Sequence, residues 1–110
     1  MPQHSTSHLT MTFLIKYRAR PNAMCRQQGK TTDADCTFWI TGHDPEEAKK
    51  RALCYGLEMG WDFKHWQLVT LTDPSDCGGD PRQFEKFEKA QRDGVACSIE
   101  ILEQDEQLPA

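Results

Sequence analysis

The chain has 110 residues, of which 37% are hydrophobic and 27% are charged, and its formal net charge is −4 at pH 7. This length is typical of a single domain, and a domain of this size buries roughly two-thirds of its unfolded surface. The composition excludes a wholly disordered chain. No apolar run approaches the roughly 20 residues that cross a bilayer, so we expect a soluble protein without a membrane partner.

Five cysteines are scattered along the chain without paired spacing, and no Cys-x-x-Cys motif occurs. An odd number of this kind predicts no disulfide framework. The four histidines show no ligand spacing with the cysteines, so we expect neither a metal site nor a cofactor. Cys77 is predicted to be exposed and unreactive, because Asp76 and Asp80 beside it disfavour a thiolate. A reducing, cytoplasmic location is the simplest interpretation.

Alternation of apolar and polar residues predicts the first two strands. Residues 1–11 are polar and are expected to form a flexible leader. Residues 12–20 and 36–42 then alternate as half-buried strands do, and the polar segment between them, residues 21–35, is predicted to be a long loop. We expect these two strands to form an antiparallel hairpin.

The same Asp-Pro pair marks two helix starts. Asp44 and Asp80 can each accept hydrogen bonds from the first helical amides, and the proline that follows suits the first helical position. The first helix is predicted to run to about Met59, with Gly60 free to adopt the left-handed conformation after it. The second helix is predicted to end near Gly94.

The remaining segments complete a ββαβαβ order. Residues 66–72 and 95–102 are predicted strands, residues 61–65 a connection, and residues 103–110 a frayed acidic tail. A strand, a helix and a strand joined by short links normally form a right-handed parallel crossover. We therefore predict a single α+β domain over residues 12–102, with a mixed four-stranded sheet and two helices on one face.

Helices that share a face need an apolar contact between them. The residues available for that contact are Leu53, Leu57, Phe84 and Phe87. In the alternative interpretation, Leu53 and Leu57 face a second subunit, which would make the protein a homodimer.

The leading functional hypothesis is a non-enzymatic protein that binds another macromolecule, most simply a protein. The acidic helices could attract a basic partner, and the aromatic connection near the third strand could form a contact patch, because aromatic residues are enriched at such sites. The predicted partner-binding residues are Trp61, Phe63, His65, Trp66, Leu53 and Leu57. The alternative for these aromatic residues is a cap over the end of the core.

A nucleic-acid-binding domain is the second hypothesis. The first 32 residues contain five basic residues and no acidic one, whereas all 17 acidic residues follow them. If the sheet face opposite the helices is open, its basic residues could hold phosphates while an aromatic residue stacks on a base. The residues of this surface are Lys16, Arg18, Arg20, Arg26, Lys30 and Trp39.

An enzyme or a small-ligand binder ranks third. His43 and Asp44 follow the second strand, and Asp73 and Asp76 follow the third, so a common sheet edge could bring a histidine base near carboxylates. Helix capping and turn formation already explain these aspartates. We therefore assign no catalytic residue and favour a protein without enzymatic activity.

Overall fold

A computed structural model describes residues 10–73, 75 and 78–102 of the chain. The tail predicted over residues 103–110, most of the predicted leader, and Asp76 and Cys77 lie outside these residues. The elements are β1 (Met11–Pro21), α1 (Ala23–Gln27), β2 (Ala34–Gly42), α2 (Pro45–Glu58), β3 (Trp61–Leu71), α3 (Pro81–Asp93) and β4 (Val95–Ile101). Within the described residues, no helix has the length and apolarity to cross a membrane.

The four strands form one open sheet in the order β3-β1-β2-β4. The predicted α+β class is confirmed, as is the antiparallel pairing of β1 with β2. The prediction of a mixed sheet is wrong, because β1 also pairs antiparallel with β3, and β2 with β4. The segments β2 and β3 do run in the same direction through α2, but β1 lies between them. The crossover therefore skips a strand, and no parallel pair forms.

The two long helices lie on opposite faces of the sheet, which corrects the prediction that both cover one face. On the face that we call the α2 face, Ala48 and Ala52 of α2 pack against Ile15 and Phe38. On the opposite face, the α3 face, Phe87 and Ala90 of α3 pack with three strand residues. These are Leu14, Trp39 and Ala96. The chain that leaves β3 reaches the far edge at β4 across the α3 face, where α3 packs over β4, β2 and β1.

The predicted contact between helices is wrong for the same reason. The sheet separates α2 from α3, so Leu53 and Leu57 cannot meet Phe84 and Phe87. Leu53 is half-buried against the core of the α2 face, and Phe87 is buried on the α3 face. Leu57 and Phe84 are 51% and 41% exposed.

The predicted helix starts are confirmed. Asp44 caps α2 by accepting a 2.8 Å hydrogen bond from the Glu47 amide, and Asp80 caps α3 by accepting one of 2.9 Å from the Arg82 amide. Gly94 ends α3 with φ of 93°, in the left-handed region that favours glycine.

Two segments differ from their predicted local structure. Within the predicted loop, Asn22 caps the short helix α1, which buries Cys25. The predicted connection over residues 61–65 is instead the start of β3, where Trp61 pairs with Pro21. Two bulges interrupt the pairing of β3 with β1, and they break the alternation by which a strand is recognised in the sequence.

Candidate functional site

The aromatic residues predicted to contact a partner form a wall of the core instead of an exposed patch. Trp61 is buried, and Phe63 and Trp66 are half-buried beside the fully buried Tyr17. The Tyr17 ring centroid lies 5.5 Å from that of Phe63 and 5.7 Å from that of Trp66. The Lys49 ammonium lies over the Trp66 ring, 5.4 Å from its centroid. The geometry matches the alternative in which these rings close the core.

The other residues of this predicted patch lie on different surfaces. His65 pairs with Arg18 across the strands and is exposed on the α3 face, opposite Phe63 and Trp66. Leu57 is exposed on the outer side of α2. The structure therefore does not bring His65 and Leu57 together with the aromatic residues.

The sheet face predicted to be open for nucleic acid is covered at its aromatic residue. Trp39 is only 7% exposed, because α3 packs over it with Phe87 and Ala90. A base cannot stack on a ring in this position. The predicted stacking surface is therefore corrected to a second, smaller core under α3.

Among the basic residues predicted to hold phosphates, Arg18 is paired with an acidic residue of the neighbouring strand. The Arg18 guanidinium donates to Asp35 at 2.6 Å, and this hydrogen bond holds the pKa of Asp35 below its usual value. Lys64 pairs with Asp33 at 2.8 Å, and Arg26 donates to a backbone carbonyl. Three further residues of the predicted surface have no ion-pair partner in the described part of the chain: Lys16, Arg20 and Lys30.

The edge near His43 contains no compact catalytic set within the described residues. The His43 amide and the His43 Nδ1 atom lie 2.6 and 3.0 Å from Glu47 Oε1, and the hydrogen bond from the amide lowers the pKa of Glu47. Thr72 lies at the same edge but beyond β1, where its amide donates to the carbonyl oxygen of Thr12. His43, which follows β2, and Asp73, which follows β3, are therefore separated by β1.

A different feature, the free edge of β4, is the surface that the sequence analysis missed. The strand has seven residues, no proline and an uninterrupted register with β2, its neighbour in the sheet. A bulge, a proline or an inward-pointing charge in an edge strand hinders its pairing with another chain. By contrast, β3 at the opposite edge contains two bulges. Of the two edges, β4 is the better template for an added strand.

Alternation along β4 determines which backbone groups face outward. The Thr41 amide donates to the carbonyl oxygen of Gly94, and the Leu102 amide donates to that of Asp33. Even-numbered residues therefore face β2, and the amides and carbonyls of odd-numbered residues point away from the sheet. We call the four residues whose backbone groups point away from the sheet the outward-facing residues of β4. They are Val95, Cys97, Ile99 and Ile101.

The side chains of these four residues form an apolar strip on the α2 face. Helix α2 packs over β3, β1 and β2, and leaves the strip over β4 partly open. Val95, Cys97 and Ile99 are half-buried, while Ile101 is 45% exposed. Met59 borders the strip, with its Sδ atom 4.0 Å from the Cys97 Sγ atom. An added strand would therefore meet apolar side chains as well as backbone groups that face away from β2.

The α3 face of the same strand carries opposite charges. Lys86 Nζ reaches the edge and donates to the carbonyl oxygen of Cys97 at 2.8 Å. Lys86 and the exposed Glu100 line one open cleft of about 440 Å³, together with Ser98. Neither Lys86 nor Glu100 has an ion-pair partner within residues 10–73, 75 and 78–102.

Burial keeps the thiol of Cys36 protonated. The pKa of Cys36 is raised to about 12, chiefly by burial and then by the neighbouring Cys97. All four cysteines in the described ranges, Cys25, Cys36, Cys54 and Cys97, are free. These groups do not form a metal-binding cluster in that part of the chain.

Comparison of the chain with protein-family models, with curated proteins and with solved structures finds no match to any of them.

Proposed function

We propose that this chain is a protein-binding domain and that its partner adds a strand to the free edge of β4. The observation that carries the proposal is the combination, on one edge strand, of a half-open apolar strip and a row of outward backbone groups that pair with no other strand of the described residues. In strand addition, backbone hydrogen bonds supply affinity and alternate side chains supply specificity. The edge of β4 offers both.

The proposal keeps the class of partner expected from the sequence and moves the contact to a different surface. The aromatic residues near Trp61 pack in the core, and Trp39 lies under α3. A nucleic-acid partner is less favoured, because α3 covers Trp39 and Arg18 of the predicted basic surface is paired with Asp35. On the α2 face, the strip from Val95 to Ile101 instead suits an extended segment with apolar residues at alternate positions.

Selection of displayed peptides followed by amide chemical-shift mapping tests the proposal. We expect the selected peptides to alternate apolar and polar residues and to shift the amides of the four outward-facing residues of β4. Ile99→Pro removes an outward amide without removing a hydrogen bond to β2, and it should abolish binding. The matched variant Ile99→Ala loses a larger part of the side chain but keeps the amide, so it should still bind.

Circular dichroism of both variants checks that the fold is retained. Peptides that shift amides elsewhere, or that bind the folded proline and alanine variants equally, would contradict the proposal.

A further inference from the structure

We infer that the strand added to β4 is β4 of a second copy of this chain, so that two copies form a twofold dimer with one continuous eight-stranded sheet. The inference rests on the proposed function, because it names the partner at the same edge. It is carried by the sequence of the strand, Val-Ala-Cys-Ser-Ile-Glu-Ile, and by the charges beside it.

An antiparallel pair of identical strands can align the whole of β4 with itself in one register. The twofold axis then passes beside Ser98, and the outward-facing residues pair with each other, as their backbone groups require. Cys97 lies opposite Ile99 of the partner subunit, and Val95 lies opposite Ile101 of the partner subunit. Both pairs are apolar and both lie on the α2 face, so the side chains of the two strips contact each other across the strands.

The same register brings opposite charges together on the α3 face. Ala96 lies opposite Glu100 of the partner subunit, and Ala96 is next to Cys97, whose carbonyl oxygen holds the Lys86 ammonium at 2.8 Å. The carboxylate therefore arrives beside an ammonium that has no ion-pair partner among the described residues. By symmetry the contact occurs twice, and the carbonyl oxygen that Lys86 releases accepts the amide of Ile99 of the partner subunit.

Charge complementarity also separates this assembly from simple protection of the edge. A lysine placed at a sheet edge can serve to prevent pairing. If Lys86 only protects the edge, it does not interact with Glu100. Reversing the charge of Glu100 would then not compensate for reversing that of Lys86. In the dimer, the two reversals compensate for each other.

Sedimentation velocity across a dilution series tests the inference. We expect the wild type to form a dimer that dissociates on dilution, and Lys86→Glu and Glu100→Lys each to weaken it about tenfold or more. The double variant Lys86→Glu/Glu100→Lys should recover most of the loss. The control Lys89→Glu lies on the same helix, but Lys89 pairs with Asp93 of its own chain at 3.0 Å, so this variant should dimerise like the wild type.

Amide hydrogen exchange on the same samples locates the contact. The amides of Val95, Cys97, Ile99 and Ile101 should be protected at high concentration and exchange faster on dilution.

A protein that stays monomeric at every concentration, or a dimer that neither single charge reversal weakens, would overturn the inference. A monomer that still binds the selected peptides on β4 overturns the second copy as the partner and leaves the proposed function standing. If neither peptides nor self-association protect the β4 amides, the proposed function fails as well.

Discussion

The hydroxyl group of Tyr17 lies against Gly56 of α2, and a Cβ atom at position 56 would overlap it. Tyr17 is fully buried, and its hydroxyl donates to the carbonyl oxygen of Ala52 at 3.2 Å. Burial also raises the pKa of Tyr17, so the group stays protonated and remains a donor. The small residues on this side of α2 thus set how closely the helix approaches the sheet.

Gly56→Ala should destabilise the protein by about 2 kcal/mol, because the added methyl group meets the Tyr17 oxygen in a packed core. Tyr17→Phe should cost about 1 kcal/mol through loss of the hydrogen bond to Ala52. The double variant should cost less than the sum of the two, since the oxygen that the methyl group meets is gone. Urea denaturation of the three variants measures this coupling. Additive losses would mean that the two residues do not interact.

Asp44→Ala should lower the free energy of unfolding by about 1 kcal/mol, because the amide of Glu47 loses its partner at the start of α2. Asp44→Asn is the matched control, since asparagine caps helices about as well as aspartate. Chemical denaturation of the two variants side by side measures the difference. If both variants lose the same stability, the effect comes from charge and not from the cap.

Trp39→Ala should destabilise the protein by about 3 to 5 kcal/mol, because it empties the core that α3 covers. The wild type should bind a mixed single-stranded oligonucleotide negligibly at physiological salt, since the indole is not available for stacking. Urea denaturation measures the first effect, and fluorescence anisotropy across a salt series measures the second. Tight, salt-sensitive binding by the wild type that is lost in a folded Trp39→Phe variant would restore the nucleic-acid hypothesis.

Asp35 should make the stability of the protein depend on pH in the acidic range. The hydrogen bond from Arg18 lowers its pKa in the folded state, so its contribution is present above the unfolded value of about 4 and is lost as pH falls through the folded value. Both side chains are partly exposed, so we expect about 0.5 to 1 kcal/mol. Thermal unfolding of the wild type and Asp35→Asn from neutral to acidic pH should show the two curves converging at low pH. A constant difference between the curves would contradict this assignment.

Alkylation of the thiols should follow their burial. Cys54 is exposed and should react before Cys36, which is fully buried with a pKa near 12 and should react only when the protein unfolds. Mass spectrometry of the peptides at increasing times of alkylation measures the order. A Cys36 that reacts as fast as Cys54 under native conditions would show that the core of the α2 face opens locally.

Local signals in the sequence were sufficient for most of the elements. The start of α2 at Asp44 and that of α3 at Asp80 depend on residues one to three positions away, and the alternation of β1 depends on its own side chains. The start of β3 was missed because a bulge at Lys64 places Phe63 and Trp66, three residues apart, on the same face. A search for strict alternation does not find such a strand.

The candidate site depended on contacts that no local pattern contains. The sequence by itself placed Trp39 on the same sheet face as Lys16 and Arg18, but only packing decided that α3 covers the tryptophan. Likewise, Val95–Ile101 is recognisable as an apolar strand, but its neighbours in the sheet are distant in the chain. Residue spacing determines which way a side chain points, whereas long-range pairing determines what covers it. Only the tertiary structure therefore decided that β4 is an edge and that its apolar strip is open.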